Sequence, residues 1–191
     1  MQKKNELISD AMSVKIIDAA EKIAKSEGAE VVTVREILRT LDITNRVFYN
    51  RFNNIEQVLE IVYQRMVLEI RKSITPSFDP DGDYFAQITD IVASTLIMSY
   101  DIKMNFNQYF FKSDSVLTGN FDWWKNEIIK LIEIGKSRGH LRADVDTEVM
   151  SYAIWCFIRG YNADAVGRGI PKDEAVRNFI YSFNILLNGM K

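Results

Sequence analysis

The sequence predicts an all-α fold: an N-terminal three-helix unit containing a helix-turn-helix, a connecting helix, and a larger C-terminal helical bundle. Two observations carry this. Only three prolines occur, Pro76, Pro80 and Pro171, and the glycines fall mostly between periodic segments, as in a chain that is nearly all helix. Within those segments apolar residues recur at three- and four-residue spacing instead of alternating.

A length of 191 residues suffices for one substantial core, or for a small domain joined to a larger one. With 47% hydrophobic and 26% charged residues the chain reads as globular, not disordered. A formal net charge of −2 gives no overall basic signature, so any affinity for nucleic acid must rest on local charge. The single cysteine, Cys156, excludes an internal disulfide and fits a reducing cytoplasm. The segment MQKKNELISDAM has no apolar core of signal-peptide length, and no apolar run is long enough to span a membrane. Neither secretion nor membrane insertion is expected.

The first helix is expected from about Ser9 to Glu27, with Ile16, Ala19, Ala20, Ile23 and Ala24 on one face and Gly28 at the C-cap. Thr33-Val34-Arg35-Glu36 reads as a capping box opening a short helix, Val34 to Leu41. Asp42 and Ile43 make a tight turn, and Thr44 can cap a third helix running to about Arg51. Asn53-Asn54-Ile55-Glu56 offers another capping signal, and a long connecting helix runs on to about Ser73. ITPSFDPDGDY, from Ile74 to Tyr84, is the clearest boundary, because prolines, a glycine and three aspartates interrupt the helical pattern. Its resemblance to a calcium loop fails, since an EF-hand loop starting at Asp79 would need its glycine at Tyr84. Further helices are expected at about 84–100, 101–112, 120–138, 146–167 and 171–189. The domain division that follows is 1–53 and 54–191, joined by the helix 54–73.

The most informative stretch is ITNRVFYNRF, Ile43 to Phe52. At about 100° per residue, Asn45, Tyr49, Arg46 and Asn50 share one helical face while Phe48 lies on the other. Phe48 and Phe52 can close a small core, leaving a face rich in hydrogen-bonding groups. Such a face suits a recognition helix: arginine can bond guanine, asparagine can pair with adenine, and tyrosine or threonine can hold phosphates. A plain amphipathic surface helix would look similar; the capped helix and tight turn before it favour recognition. Residues 1–60 carry nine lysines and arginines against ten acidic residues, and only 35–51 leans positive. DNA affinity would then need a focused patch used in duplicate.

These residues resemble the tetracycline-repressor (TetR/AcrR) family of bacterial transcription regulators. The matching positions are Ile16-Ile17-Asp18-Ala19-Ala20, Gly28, Thr33, Ile37, Asp42-Ile43-Thr44 and Tyr49-x-x-Phe52, within about residues 14–60. Asp42 stands where the family has a turn glycine, Arg46 replaces a small residue, and Ile55 replaces a common lysine. The resemblance implies a homodimeric repressor of a palindromic operator. Thr33, Thr44 and Tyr49 would hold phosphates and Asn45, Arg46 and Asn50 would face base edges, with Arg35, Val47 and Arg51 completing the DNA-binding set.

It also implies an effector pocket in the C-terminal domain for a small hydrophobic or aromatic molecule. That domain is rich in aromatics, and Tyr100, Phe106, Tyr109, Phe110, Trp124, Trp155 and Tyr161 are the candidate lining, although such residues can equally be plain core. The last two helices are the expected dimer interface, through Ile154, Ile158, Phe179, Phe183, Leu186 and Leu187, unless those stripes are buried within one subunit. An enzyme is not expected. His140 and Cys156 form no pair at catalytic spacing, and no metal-ligand cluster, phosphate loop or cofactor motif appears. The competing class is a helical carrier or scaffold for a hydrophobic ligand with a non-functional helix-turn-helix.

Overall fold

The computed structural model describes residues 7–74, 78–79, 81–101, 109, 112–113 and 118–191. Among them are eight α-helices and no strand: α1 Ala11–Glu27, α2 Val34–Leu41, α3 Asn45–Tyr49, α4 Ile55–Ile74, α5 Tyr84–Asp101, α6 Thr118–Ser137, α7 Thr147–Gly167 and α8 Lys172–Asn188. The helix expected at 101–112 falls almost entirely outside the described residues. None of the helices is long and apolar enough to cross a membrane.

Local chemistry sets most of these boundaries. The α1 helix begins at Ala11 because Asp10 caps it, accepting from the amides of Met12 and Ser13 at 3.0 Å each, while Ser13 Oγ accepts from the Asp10 amide. The Thr33 hydroxyl accepts from the Glu36 amide at 3.2 Å, but the return bond of the expected capping box is not made. Arg39 holds the Glu36 carboxylate instead. Asn54 caps α4 by accepting from the Gln57 amide, and Asp146 caps α7 by accepting from the Val149 amide. The turn after α2 puts Asp42 in the left-handed region (φ 51, ψ 49), and its amide and that of Ile43 both close onto the Leu38 carbonyl.

Two apolar cores result. The first joins α1, α2, α3 and the first half of α4 around Ile16, Ala20, Ile37, Phe48, Val58 and Val62, all fully buried. The second joins α5, α6, α7 and α8 around Leu96, Ile132, Ile158, Phe179 and Phe183. Side-chain hydrogen bonds cross it: Thr89 Oγ1 to Asn184 Oδ1 (2.9 Å) ties α5 to α8, and Tyr84 donates to the Leu131 carbonyl on α6 (2.9 Å). Gly135 permits that last approach, since an added Cβ would lie 2.5 Å from the Tyr84 oxygen. Burial pushes the Tyr84 phenol up to about 12.

Candidate nucleic-acid interface

The α3 helix is only one and a half turns long, and its position is fixed by what lies beneath and behind it. Phe48 is fully buried and packs on Phe52 with ring centroids 5.8 Å apart. Tyr49 meets the Phe48 ring edge-on at 5.3 Å yet remains 51% exposed. Thr44, Asn45, Arg46 and Asn50 are exposed beside it, with Thr33 and Arg35 exposed at the start of α2 and Val47 half-buried. The Thr44 hydroxyl makes no bond to the helix it precedes. Arg46 forms no ion pair among the described residues, so its guanidinium projects from this face uncompensated.

Arg51 departs from expectation. Its Nε and Nη2 donate to the two carboxylate oxygens of Asp10 at 2.9 and 2.5 Å, and its Nη1 donates to the Val47 carbonyl at 2.8 Å. With a side chain only 13% exposed, it is a strut between α1 and the end of α3. The Arg51 guanidinium and the Ser13 amide hold the Asp10 carboxyl well below the usual carboxylate range. A second strut runs from the Ile8 amide to the Asn50 carbonyl (2.9 Å). Asp10 carried a readable signal, Asp-x-x-Ser before an apolar periodic run, but nothing local paired it with a residue 41 positions away.

The bundle holds an apolar cavity of about 200 Å³ between α5, α6, α7 and α8, walled by Phe78, Tyr84, Ile88, Trp123, Trp124, Ile128, Ile158 and Phe183 among others. A smaller hollow of about 60 Å³ adjoins it, sharing Trp124 and Ile158 and reaching α4 at Val67 and Ile70. Of the expected pocket residues, Trp124 lines both hollows and Trp155 the smaller one. Tyr100 and Tyr161 point elsewhere, donating to the carbonyls of Ile170 (2.7 Å) and Ala175 (3.3 Å) around the α7–α8 connection. Tyr109 lies against the start of α4 near Asn53 and Glu60, and Phe106 and Phe110 lie outside the described residues.

The expected interface stripes are likewise turned inward. Ile154, Ile158, Phe179, Phe183 and Leu187 are at most 7% exposed within the single subunit, and Leu186 is half-buried against the same core. Those side chains complete the bundle within one subunit, the alternative that the sequence left open. The outward faces of α7 and α8 instead show Val149, Tyr152, Tyr181 and Ile185, 57–71% exposed.

A short, aromatic-anchored second helix after a capped helix and tight turn, set on a separate helical bundle, is the arrangement of a helix-turn-helix DNA-binding protein. Residues 16–62 match the family described as bacterial regulatory proteins, tetR family. Residues 16–62 thus carry the DNA-binding region of a tetR-family regulator. A curated relative, the HTH-type dhaKLM operon transcriptional activator DhaS of Lactococcus lactis, is 25% identical over 168 residues, 85% of this chain and 78% of its own length. SmeT, the repressor of the Stenotrophomonas maltophilia multidrug efflux pump SmeDEF, has a similar fold, with a TM-score of 0.74 at 17% identity over 95% of this chain and 91% of its own. A TetR transcription regulator from Haloarcula marismortui is similar in fold too, with a TM-score of 0.75 at 14% identity over 93% of this chain and 97% of its own.

Proposed function

We propose that the protein is a homodimeric repressor that binds a palindromic operator and is released by a small apolar or aromatic effector. Residues 1–53 form the DNA-binding unit, and residues 54–191 form the effector-binding and dimerisation unit. The observation that carries this is the reading face of α3. Asn45, Arg46 and Asn50 present base-reading groups, Thr33, Thr44 and Tyr49 stand ready for phosphates, and Phe48 with the Asp10–Arg51 strut holds the helix still. Arg35 and Val47 flank that face.

The partner subunit packs on the outward faces of α7 and α8 through Val149, Tyr152, Tyr181 and Ile185. Two-fold pairing sets two α3 helices about one DNA turn apart, ~34 Å, on a palindrome. The effector occupies the cavity of about 200 Å³, whose walls are almost wholly apolar. The relatives' names include an activator and a repressor; repression is the simpler outcome because a bound dimer blocks the operator by occupancy alone. Since its partner is chromosomal DNA, the protein acts in the cytoplasm.

Selection from a random duplex library tests the DNA reading. The wild type is expected to enrich a palindrome, and Arg46→Ala or Tyr49→Ala to weaken binding to it by roughly 5–150-fold, equivalent to about 1–3 kcal/mol for a lost base or phosphate contact. A carrier with a non-functional helix-turn-helix would enrich nothing, or would leave both variants indistinguishable from wild type.

A further inference from the structure

The turn between α2 and α3 carries a charge that the turn itself does not use. Asp42 is the only non-glycine residue with a positive φ among the described residues (φ 51, ψ 49). Glycine takes that conformation without strain, whereas a side chain there is costly, aspartate and asparagine being the best tolerated. The backbone closes the turn by itself, since the amides of Asp42 and Ile43 both reach the Leu38 carbonyl. The Asp42 side chain is exposed and makes no hydrogen bond or ion pair among the described residues. Nothing in the turn therefore requires a carboxylate.

The surrounding charges give this one its weight. Between Thr33 and Arg51 the acidic residues are Glu36 and Asp42 alone. Glu36 is paired with Arg39, and Arg51 with Asp10, so those charges cancel. What remains on this stretch is Arg35 and Arg46, neither in an ion pair among the described residues, against Asp42. Asp42 stands two residues before Thr44, so their Cα atoms are at most ~7.6 Å apart. That separation is within the Debye length of ~10 Å at 0.1 M salt, and a phosphate held at Thr44 would feel the carboxylate.

Resting on the reading of α3 as the helix that meets DNA, we infer that Asp42 is an affinity-setting residue. Its unpaired carboxylate repels the phosphates beside Thr44 and weakens binding to every duplex alike. A face weakened in this way depends more heavily on its base contacts and on the second face of the dimer. A carboxylate could instead accept from the N4 amine of cytosine, which would make Asp42 part of the sequence reading and its loss harmful.

Asp42→Asn keeps a side chain that tolerates the left-handed conformation and removes only the charge. Asp42→Gly removes charge and strain together. Fluorescence anisotropy with the full-length protein measures binding to two labelled duplexes, the selected palindrome and a scrambled sequence of the same length. At about 50 mM salt Asp42→Asn is expected to bind both duplexes more tightly, by about twofold per face and roughly fourfold for the dimer. The gain is expected to shrink as salt rises to about 200 mM, with the ratio between the two duplexes unchanged. Asp42→Gly is expected to show the same gain and to melt above the wild type, and it serves if Asp42→Asn does not fold. Unchanged or weaker binding by folded Asp42→Asn, a gain that ignores salt, or a changed ratio between the duplexes overturns the inference while leaving the DNA reading intact. Failure of the wild type to bind any palindrome overturns the DNA reading, and the inference with it.

Discussion

Arg51 is engaged within the protein, beside the proposed reading face. Its guanidinium is spent on Asp10 and Val47, so its contribution is to hold α3 rigidly against the start of α1. Because that guanidinium and the Ser13 amide depress the Asp10 carboxyl, the native state favours the ionised form more than the unfolded chain does. The resulting stabilisation is complete above about pH 4, the ordinary carboxylate value, and is lost as the pH falls through the depressed native value. The pair is partly exposed and therefore screened by salt. Asp10→Asn retains a capping oxygen but not the charge. It is expected to melt below wild type at pH 6 in low salt, with the gap closing as the pH drops below about 4. Thermal denaturation across that range checks this, and a gap independent of pH would contradict it. This strut was only half legible in the sequence: the Asp10 cap is local, but its partner is defined only once the chain has folded back.

At the scale of elements, α4 is the joint. Val58, Val62, Tyr63 and Met66 bury its first half in the N-terminal core, and Arg65 pairs with Asp18 (2.6 Å) and Glu21 (3.4 Å) on α1. Its far end is held differently. Arg71 donates to the Gly119 carbonyl (2.9 Å) and Asn120 Oδ1 (3.2 Å) on α6, and its guanidinium lies 5.0 Å from the Trp123 ring centre. Trp123 is a wall of the cavity, so a molecule that moves it also disturbs the hold of α6 on α4. Arg71→Met is expected to leave DNA affinity without ligand within about twofold of wild type. The same change should cut the ratio of DNA affinities without and with 1-octanol, an apolar probe of the cavity, by roughly 2–30-fold, corresponding to a coupling change of about 0.5–2 kcal/mol. DNA titrations with and without octanol measure that ratio; an unchanged ratio would remove Arg71 from the coupling route. Element boundaries were legible because caps are local: expected helices at 84–100, 120–138, 146–167 and 171–189 form at 84–101, 118–137, 147–167 and 172–188. The roles of aromatics were not, because Tyr100, Trp124 and Tyr161 are alike in sequence, and only packing decides which one walls a cavity and which ties a loop.

For the whole molecule, the proposed dimer answers a weak local charge. Arg35 and Arg46, unsupported by a broad basic field, would give a single face only a shallow electrostatic hold, and two faces on one duplex would reinforce it. The apolar stripes of α7 and α8 raise a related question of faces. The sequence shows that these helices carry more apolar residues than one face needs, but not which face closes the subunit. In the structure Phe179 and Phe183 close it, and Tyr181 and Ile185 are exposed, which is why they are the proposed partner contacts. The most direct measurement is therefore the stoichiometry of the complex, by sedimentation with a fluorescent duplex carrying the selected palindrome. A homodimeric regulator is expected to place two chains on each duplex, to bind less tightly as salt rises, and to lose both dimer and complex in Tyr181→Glu or Ile185→Asp proteins that remain helical. One chain bound per palindrome at full affinity, or tight binding by variants that sediment as monomers, would contradict it.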